Sequence, residues 1–293
     1  MSIFSERKNN ATETSKSAYS KKVYFENLSL ATVLIGFLIL SFGMWETFYS
    51  VKVSLSDMNT AMSRAHPFGT DQLGRDLLAR YSVAVRHTVL PLWITGFLAF
   101  FAAIILASGT YILEERVFGK ILKRFVGILS SFVLAFPFSV IVFAVSVYFE
   151  GISLSGILLS GFFYIFFKTF IKTIRMIEES RYLGYWEMHE SLGGSRWERF
   201  FKYGVLNDFK SSLAAELVFS LQLLVAAEVT LSYLGFGVAE PDPSLGNILA
   251  SNIESALKGE PRILLTSLFV LFLVMYIPSV VRKLIEKRIK PTA

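Results

Sequence analysis

The chain has 293 residues, 53% of them hydrophobic and 15% aromatic against 18% charged, whereas soluble domains carry about a quarter charged residues, so the composition argues against a soluble monomer. Cys is absent, which excludes disulfides, thiolate catalysis and Cys-based zinc or iron–sulfur sites. The net charge of +6 fits nucleic acid, anionic lipid or the inward loops of a membrane protein, and only the positions of the charges decide.

Residues 1–27 are polar and rich in Ser, Asn and Lys, reading as a cytoplasmic tail ahead of an uncleaved signal-anchor helix. The first charge-free run is Leu28 to Trp45. Four more follow, at Thr88 to Leu113, Phe125 to Phe149, Gly151 to Phe167 (able to run on to Ile171) and Ile263 to Val281. Between the last two, Leu213 to Gly237 is apolar apart from Glu216, Gln222 and Glu228. Each is near the ~20 residues that cross a bilayer as helix, and no alternating barrel pattern is present. The expected fold is therefore all-α and polytopic, with six transmembrane helices. With the N-terminus inside, the inner segments hold 22 Lys and Arg and the outer loops seven. That satisfies the positive-inside rule, with both termini cytoplasmic. The division is a tail 1–27, a first helix 28–49, an outer loop 50–87, a five-helix core 88–281 with an inner loop 168–212, and a tail 282–293.

Two loops are too long to be mere connectors. In the outer one, Gly69 and Thr70 end a turn, with Thr70 or Asp71 as N-cap of a short helix bearing Arg75, Asp76 and Arg80. Asp76 and Arg80 stand four apart and read as a surface ion pair. The inner loop reads as two short helices, Tyr182 to Leu192 and Arg196 to Val205, around Gly193-Gly194. Trp197, Phe200, Phe201 and Val205 fall on one helical face, leaving Glu198, Arg199 and Lys202 on the other. Such a helix lies under the membrane or docks on a partner.

Glu228 sits well inside the fifth apolar run, where a carboxylate costs about 2.5–3.5 kcal/mol, so it faces protein or water. It either lines a pathway or packs between helices. Glu216, nearer the end of that run, is expected to snorkel to the interface. Pro91 and Pro137 each remove a backbone donor and permit a kink. The three histidines, His66, His87 and His189, are scattered and lack a metal-binding pattern. There is no G-x-x-x-x-G-K-[ST] to cradle ATP phosphates.

His66-Pro-Phe-Gly-Thr-Asp-Gln-Leu-Gly-Arg-Asp76 closely resembles the H-P-x-G-T-D-x-x-G-R-D stretch of ABC-transporter permeases in the dipeptide, oligopeptide and nickel import group, in the shorter C-type subunit. Glu228-Val-Thr-Leu-Ser-Tyr-Leu-Gly-Phe-Gly-Val238, followed by Pro241-Asp-Pro-Ser-Leu-Gly246, is similar to that group's E-A-A-L-S-F-L-G-L-G-V and P-x-P-S-x-G stretches, and Phe136-Pro137 matches a proline in the third span. The inner loop departs from the pattern. Where the family has E-A-A-x-x-x-G, this chain has Glu187-Met188-His189 and then Gly193, and the later proline is Leu206.

The resemblance implies a type I ABC importer permease architecture in a bacterial plasma (inner) membrane and uptake of short peptides, with nickel or another small solute as the alternative. Its implied partners are a second homologous permease, two ABC ATPases that bind ATP and Mg, and an extracytoplasmic substrate-binding protein. The chain itself would then be a transport subunit in the lipid membrane rather than an enzyme, with no bound cofactor or metal and no nucleic-acid partner. The residues so implicated are His66, Gly69, Thr70, Asp71, Gly74, Arg75 and Asp76 in the extracytoplasmic motif, and Glu187, Gly193, Trp197 and Phe200 in ATPase coupling. Glu228 and Pro137 belong to the pathway, and the outer stretch 238–262 with Glu240, Asp242, Glu254 and Glu260 would meet the binding protein. Rivals from other classes are a secondary transporter or channel acting alone, which predicts inverted repeats, and a non-transporting scaffold.

Overall fold

The computed structural model describes residues 53–148 and 154–289. The first expected span and the N-terminal tail lie outside these residues. Among the described residues every regular element is helical, apart from one isolated bridge between Thr70 and Asp76. Helix is what an apolar chain must form in lipid, where no water can satisfy backbone N–H and C=O groups.

Helix α1 (Leu77–Ala84) continues through a π-turn at Val85–Val89 into α2 (Leu90–Ile112), a 36-residue span in all. The short helix expected in the outer loop is thus the first turns of the second span. The widened turn lies just ahead of Pro91, where a regular helix would lose a hydrogen bond and clash with the ring.

Helices α3 (Val117–Leu134) and α4 (Phe138–Tyr148) meet at an 89° bend. The run expected as one straight span, Phe125 to Phe149, is therefore broken, since a helix ends before proline and Pro137 immediately precedes α4. Helix α5 (Leu154–Ser180) runs well past Phe167, which shortens the inner connection from the expected 168–212 to 181–209. That connection holds α6 (Gly184–Ser191), a single turn α7 (Arg196–Glu198) and a π-helical stretch, Arg199–Asp208. Helices α8 (Lys210–Tyr233), α9 (Leu245–Leu257) and α10 (Pro261–Ile289) complete the described chain.

Among the described residues four helices are long and apolar enough to cross a membrane, and the bent α3–α4 pair makes a fifth if it counts as one span. The described residues thus account for four or five of the six expected crossings. The spans cross where small residues let them approach, as membrane helices require. A Cβ on Gly161 of α5 would stand 2.3 Å from Leu224 Cδ2, and one on Gly96 of α2 would stand 3.2 Å from Leu224 Cδ1. Leu224 of α8, fully buried, is the knob that joins three helices. Two apolar clusters result. One surrounds Leu77, Leu92, Ile157, Leu224 and Ile248, and the other, at the opposite end of α2, surrounds Tyr111, Phe170, Trp186, Phe200 and Phe209.

Candidate functional site

The His66–Arg80 segment folds into a compact knot held by backbone geometry and buried charge. Gly69 and Gly74 have φ of +76° and +70°, and a Cβ on them would lie 2.6 Å from Thr60 O and 1.7 Å from Ser54 O. No other residue fits either position. Thr70, fully buried, accepts the Thr60 N–H at 2.8 Å and donates to Asp57 O. Asp71 Oδ1 accepts the N–H groups of Leu73 and Arg75, each at 2.9 Å. Its Oδ2 pairs with Arg75 Nε and Arg80 Nη1, each at 2.8 Å.

Both guanidiniums then reach across to Glu240 on the α8–α9 connection, Arg75 at 2.8 Å and Arg80 through Nη2. Burial works against the charged form of Arg75, but its hydrogen bonds to Glu240 and Asp71 outweigh it and hold the guanidinium above the ordinary arginine value.

This geometry corrects two expectations. The N-cap is Asp76, which accepts the Ala79 N–H at 2.8 Å and also meets His66 Nδ1 at 2.8 Å. Thr70 and Asp71 instead shape the turn before it. Arg80 is 1% exposed and pairs with Asp71 and Glu240, so the expected surface pair with Asp76 is replaced by a buried network. Glu240 holds both guanidiniums while its side chain stays 42% exposed. Glu254 and Glu260 pair with Lys258 and Arg262, whereas Asp242 is exposed. A cavity of about 520 Å³ lies beside the knot, lined by His87, Thr88, Leu154, Glu240 and Asp242 among others.

Polar residues that carry no motif tie the knot to the helices. Tyr81 Oη lies 3.0 Å from Thr266 Oγ1 and 2.8 Å from Ser267 Oγ, and Asn252 Nδ2 donates to Ser267 at 2.7 Å. Gln72 donates to Ser255 at 2.7 Å, and Arg262 donates to Asn59 O at 2.6 Å. The sequence signal for these was only that polar groups stand in or beside apolar runs.

Glu228 is fully buried beneath the same region. Its Oε1 accepts Ser232 Oγ at 2.8 Å. Oε2 meets no donor in good hydrogen-bond geometry, with the Ser244 hydroxyl and the Gly246 N–H, in the first turn of α9, as its neighbouring donors. Gly246 presses onto the α8 backbone, where a Cβ would come within 2.7 Å of Val229 O. Glu216 does not snorkel. It is buried and pairs with Lys168 and Lys172, each at 3.0 Å. Pro137, at the α3–α4 bend, is exposed.

At the other end of α2, the helix pair 184–208 docks through aromatic packing. Trp186, 1% exposed, lies against Tyr111 and Phe209 at ring-centroid separations of 6.3 and 6.1 Å, and Phe200 is fully buried beside them. Tyr185 donates its hydroxyl to Asp208, and Trp186 Nε1 donates to the same carboxylate at 3.3 Å. Lost solvation and the Asp208 charge push the Tyr185 hydroxyl up to about 12. Glu114 is pulled two ways: burial raises it, but Arg181 and Lys123 prevail and hold it below the ordinary carboxylate value. Arg196 adds a pair to Glu115 at 2.9 Å.

Of the four residues assigned to coupling, only Phe200 is in this core. Glu187 and Trp197 are exposed, and Gly193 has φ of +78° with open space around it. The close approach belongs to Gly194, where a Cβ would stand 2.1 Å from the His189 ring. His189 therefore packs inward, against Tyr203 at 5.1 Å, while Met188 is 60% exposed. Tyr182, Leu183, Tyr185, Leu192 and Trp197 on the same connection are exposed as well.

Among the described residues no group of three His, Cys, Asp or Glu is placed to hold a metal. Several apolar crossings, the broken α3–α4 pair and an ordered helix pair between α5 and α8 are the features of a multi-pass transport subunit. The family model for the binding-protein-dependent transport system inner membrane component matches residues 99–291, and the chain belongs to that family. It is a permease subunit of an ABC importer, a class that generally works with a second permease, ATPases and a binding protein. No curated protein matches the chain. The matched stretch begins inside α2, so the His66–Arg80 knot lies ahead of it.

Proposed function

We propose that this chain is the C-type permease subunit of a short-peptide importer, with six spans, both termini cytoplasmic, and the 184–208 helix pair acting as the coupling element for a partner ATPase. The observation that carries this reading is the outer surface of that pair. Met188, Leu192 and Trp197 are between 56% and 78% exposed on an element otherwise fixed to the ends of α2 and α5. An apolar patch outside the spans, on a rigid base, marks a protein contact. ATPase closure would push on α6, and the Trp186–Phe200–Tyr111 core would carry the movement to α2 as a rigid body.

At the other end the knot, with Asp242 beside it, would meet the binding protein, and a second permease would complete the pathway. Two ATPase partners would supply ATP and Mg, so this chain needs no cofactor and catalyses no reaction. Glu228 serves the fold by holding the α9 first turn against α8, and the Pro137 bend shapes the pathway wall. Peptide is preferred to nickel or another small solute on the motif resemblance alone.

The test is ATP-coupled uptake and ATPase co-purification in the assembled complex. Met188→Glu and Gly193→Leu should lose both while the subunit still inserts and keeps its thermal stability to within about 2 kcal/mol. Unchanged coupling in both would end the assignment. Glu228→Gln that transports normally with a lowered melting temperature supports packing, whereas lost transport at unchanged stability returns Glu228 to the pathway.

A further inference from the structure

The cavity of about 520 Å³ beside the knot stands where three elements meet. These are the π-turn between α1 and α2, with His87 and Thr88, the start of α5 at Leu154, and the α8–α9 connection from Val238 to Pro243. It is half-open, and Val83, Leu154, Pro241 and Pro243 give it an apolar wall. We propose that this cavity is where the subunit takes the amino-terminal end of a short peptide, with Asp242 holding the ammonium. The proposal deepens the short-peptide reading above and rests on it.

Two separate observations point to a ligand. A helical threonine ordinarily gives its hydroxyl to a carbonyl three or four residues back, as Thr110, Thr173, Thr230 and Thr266 do here at 2.7 to 2.8 Å. Thr88 is 1% exposed and lines the cavity, yet its hydroxyl has no hydrogen-bond partner among the described residues. It sits in the widened π-turn, a feature frequent at functional sites. A buried hydroxyl on a cavity wall is satisfied by what enters the cavity.

The second observation is a carboxylate without a cation. Arg75 and Arg80 are held by Asp71 and Glu240, two acids for two guanidiniums. Asp242 is exposed and joins no ion pair among the described residues. Its backbone is fixed, because its carbonyl accepts Asn247 Nδ2 at 2.7 Å and Asn247 belongs to the capping box of α9. A fixed acceptor loses little freedom on binding.

The lining selects the ligand. His87, Glu240 and Asp242 are not placed together to hold a metal, so the cation that suits Asp242 is an organic one. The volume is that of a small-molecule site, mostly apolar with a few polar groups. An ammonium on Asp242, a peptide-bond group on the Thr88 hydroxyl and a first side chain against the two prolines use each part of the wall. The open side leaves room for the rest of the peptide.

The test uses the full chain in its assembled complex, in neutral detergent, without ATP and without the binding protein. Alanyl-phenylalanine and its N-acetyl form, which lacks the ammonium, are titrated by calorimetry. The free dipeptide should bind saturably and the acetylated one about tenfold more weakly. Asp242→Asn should remove that preference by weakening the free dipeptide about tenfold, and Thr88→Val should weaken both about threefold. Both substitutions nearly conserve volume, and an unchanged melting temperature of the ligand-free complex shows that the fold is intact.

Equal binding of the two dipeptides, no binding up to about 10 mM, or unchanged binding in either variant overturns the proposal. Asp242→Asn that releases the binding protein while dipeptide affinity stays the same assigns the cavity to a protein loop and overturns it too. The titration involves no uptake. Failed binding beside intact ATP-coupled dipeptide uptake removes this site alone, whereas a wild-type complex that takes up no peptide with ATP removes the short-peptide reading itself.

Discussion

The two ends of α2 are built by different physics. The knot at its start is held by a chain of charges, Asp71 to Arg75 and Arg80 and on to Glu240, and by two glycines whose backbone no other residue adopts. The helix pair at its far end is held by rings, with Trp186, Phe200 and Phe209 closing on Tyr111. Charge networks have one good geometry and fail when a member is lost. Aromatic packing tolerates small displacements and leaves an apolar outer face for a partner. The first suits a rigid cap, and the second suits the movable coupling element proposed above.

The sharpest way to break the contrast is Asp71→Ala. It strands two buried guanidiniums with Glu240 left to hold both and should cost about 3–5 kcal/mol in thermal unfolding, with added salt giving no rescue because the pair is buried. Trp186→Ala should destabilise by about 3–5 kcal/mol at most, less where the rings resettle, and protease cleavage within 181–209 should rise while the knot stays resistant. Gly74→Ala should cost about 1–3 kcal/mol from its positive φ and more from the contact with Ser54 O.

Alkaline pH separates the regions by a smaller effect. Tyr185 is raised from 10.0 to about 12, so its contribution is complete below pH 10 and is lost as pH rises toward 12. Arg75 is held above the ordinary arginine value, so the knot keeps its contribution throughout that window. Hydrogen exchange should show α6 loosening between these pH values with the knot unchanged, and Tyr185→Phe should abolish the alkaline step. Loosening of both ends together would remove the distinction.

How much was legible follows the same division. The knot announced itself as a motif, and each of its glycines and charged residues has a structural task, but the pairing was misread. Periodicity along one helix places Asp76 near Arg80, whereas the acids that Arg80 meets are Asp71, nine positions before it in the turn, and Glu240, 160 positions away. The helix pair was placed to within three residues by its glycines and ring spacing. Which rings turn inward was not legible, because Trp186 and Trp197 both sit in short amphipathic stretches, and only the position of Tyr111 decides between them. Glu216 was misjudged for a related reason. A carboxylate near a helix end snorkels when alone, and Lys168 and Lys172 lie on another helix.

The sequence by itself determined that the chain is helical and membrane-spanning, where most crossings lie and which loops are structured, since these follow from the length of apolar runs and from local backbone rules. The composition first noted, basic and nearly half non-apolar, left its charges without partners. Tertiary structure alone decided those partners: Asp71 with Arg80, Glu216 with two lysines, and Glu228 against the start of α9. Coulombic and packing energies depend on distance in space, and helices that cross at Leu224 bring together residues whose separation along the chain carries no such information.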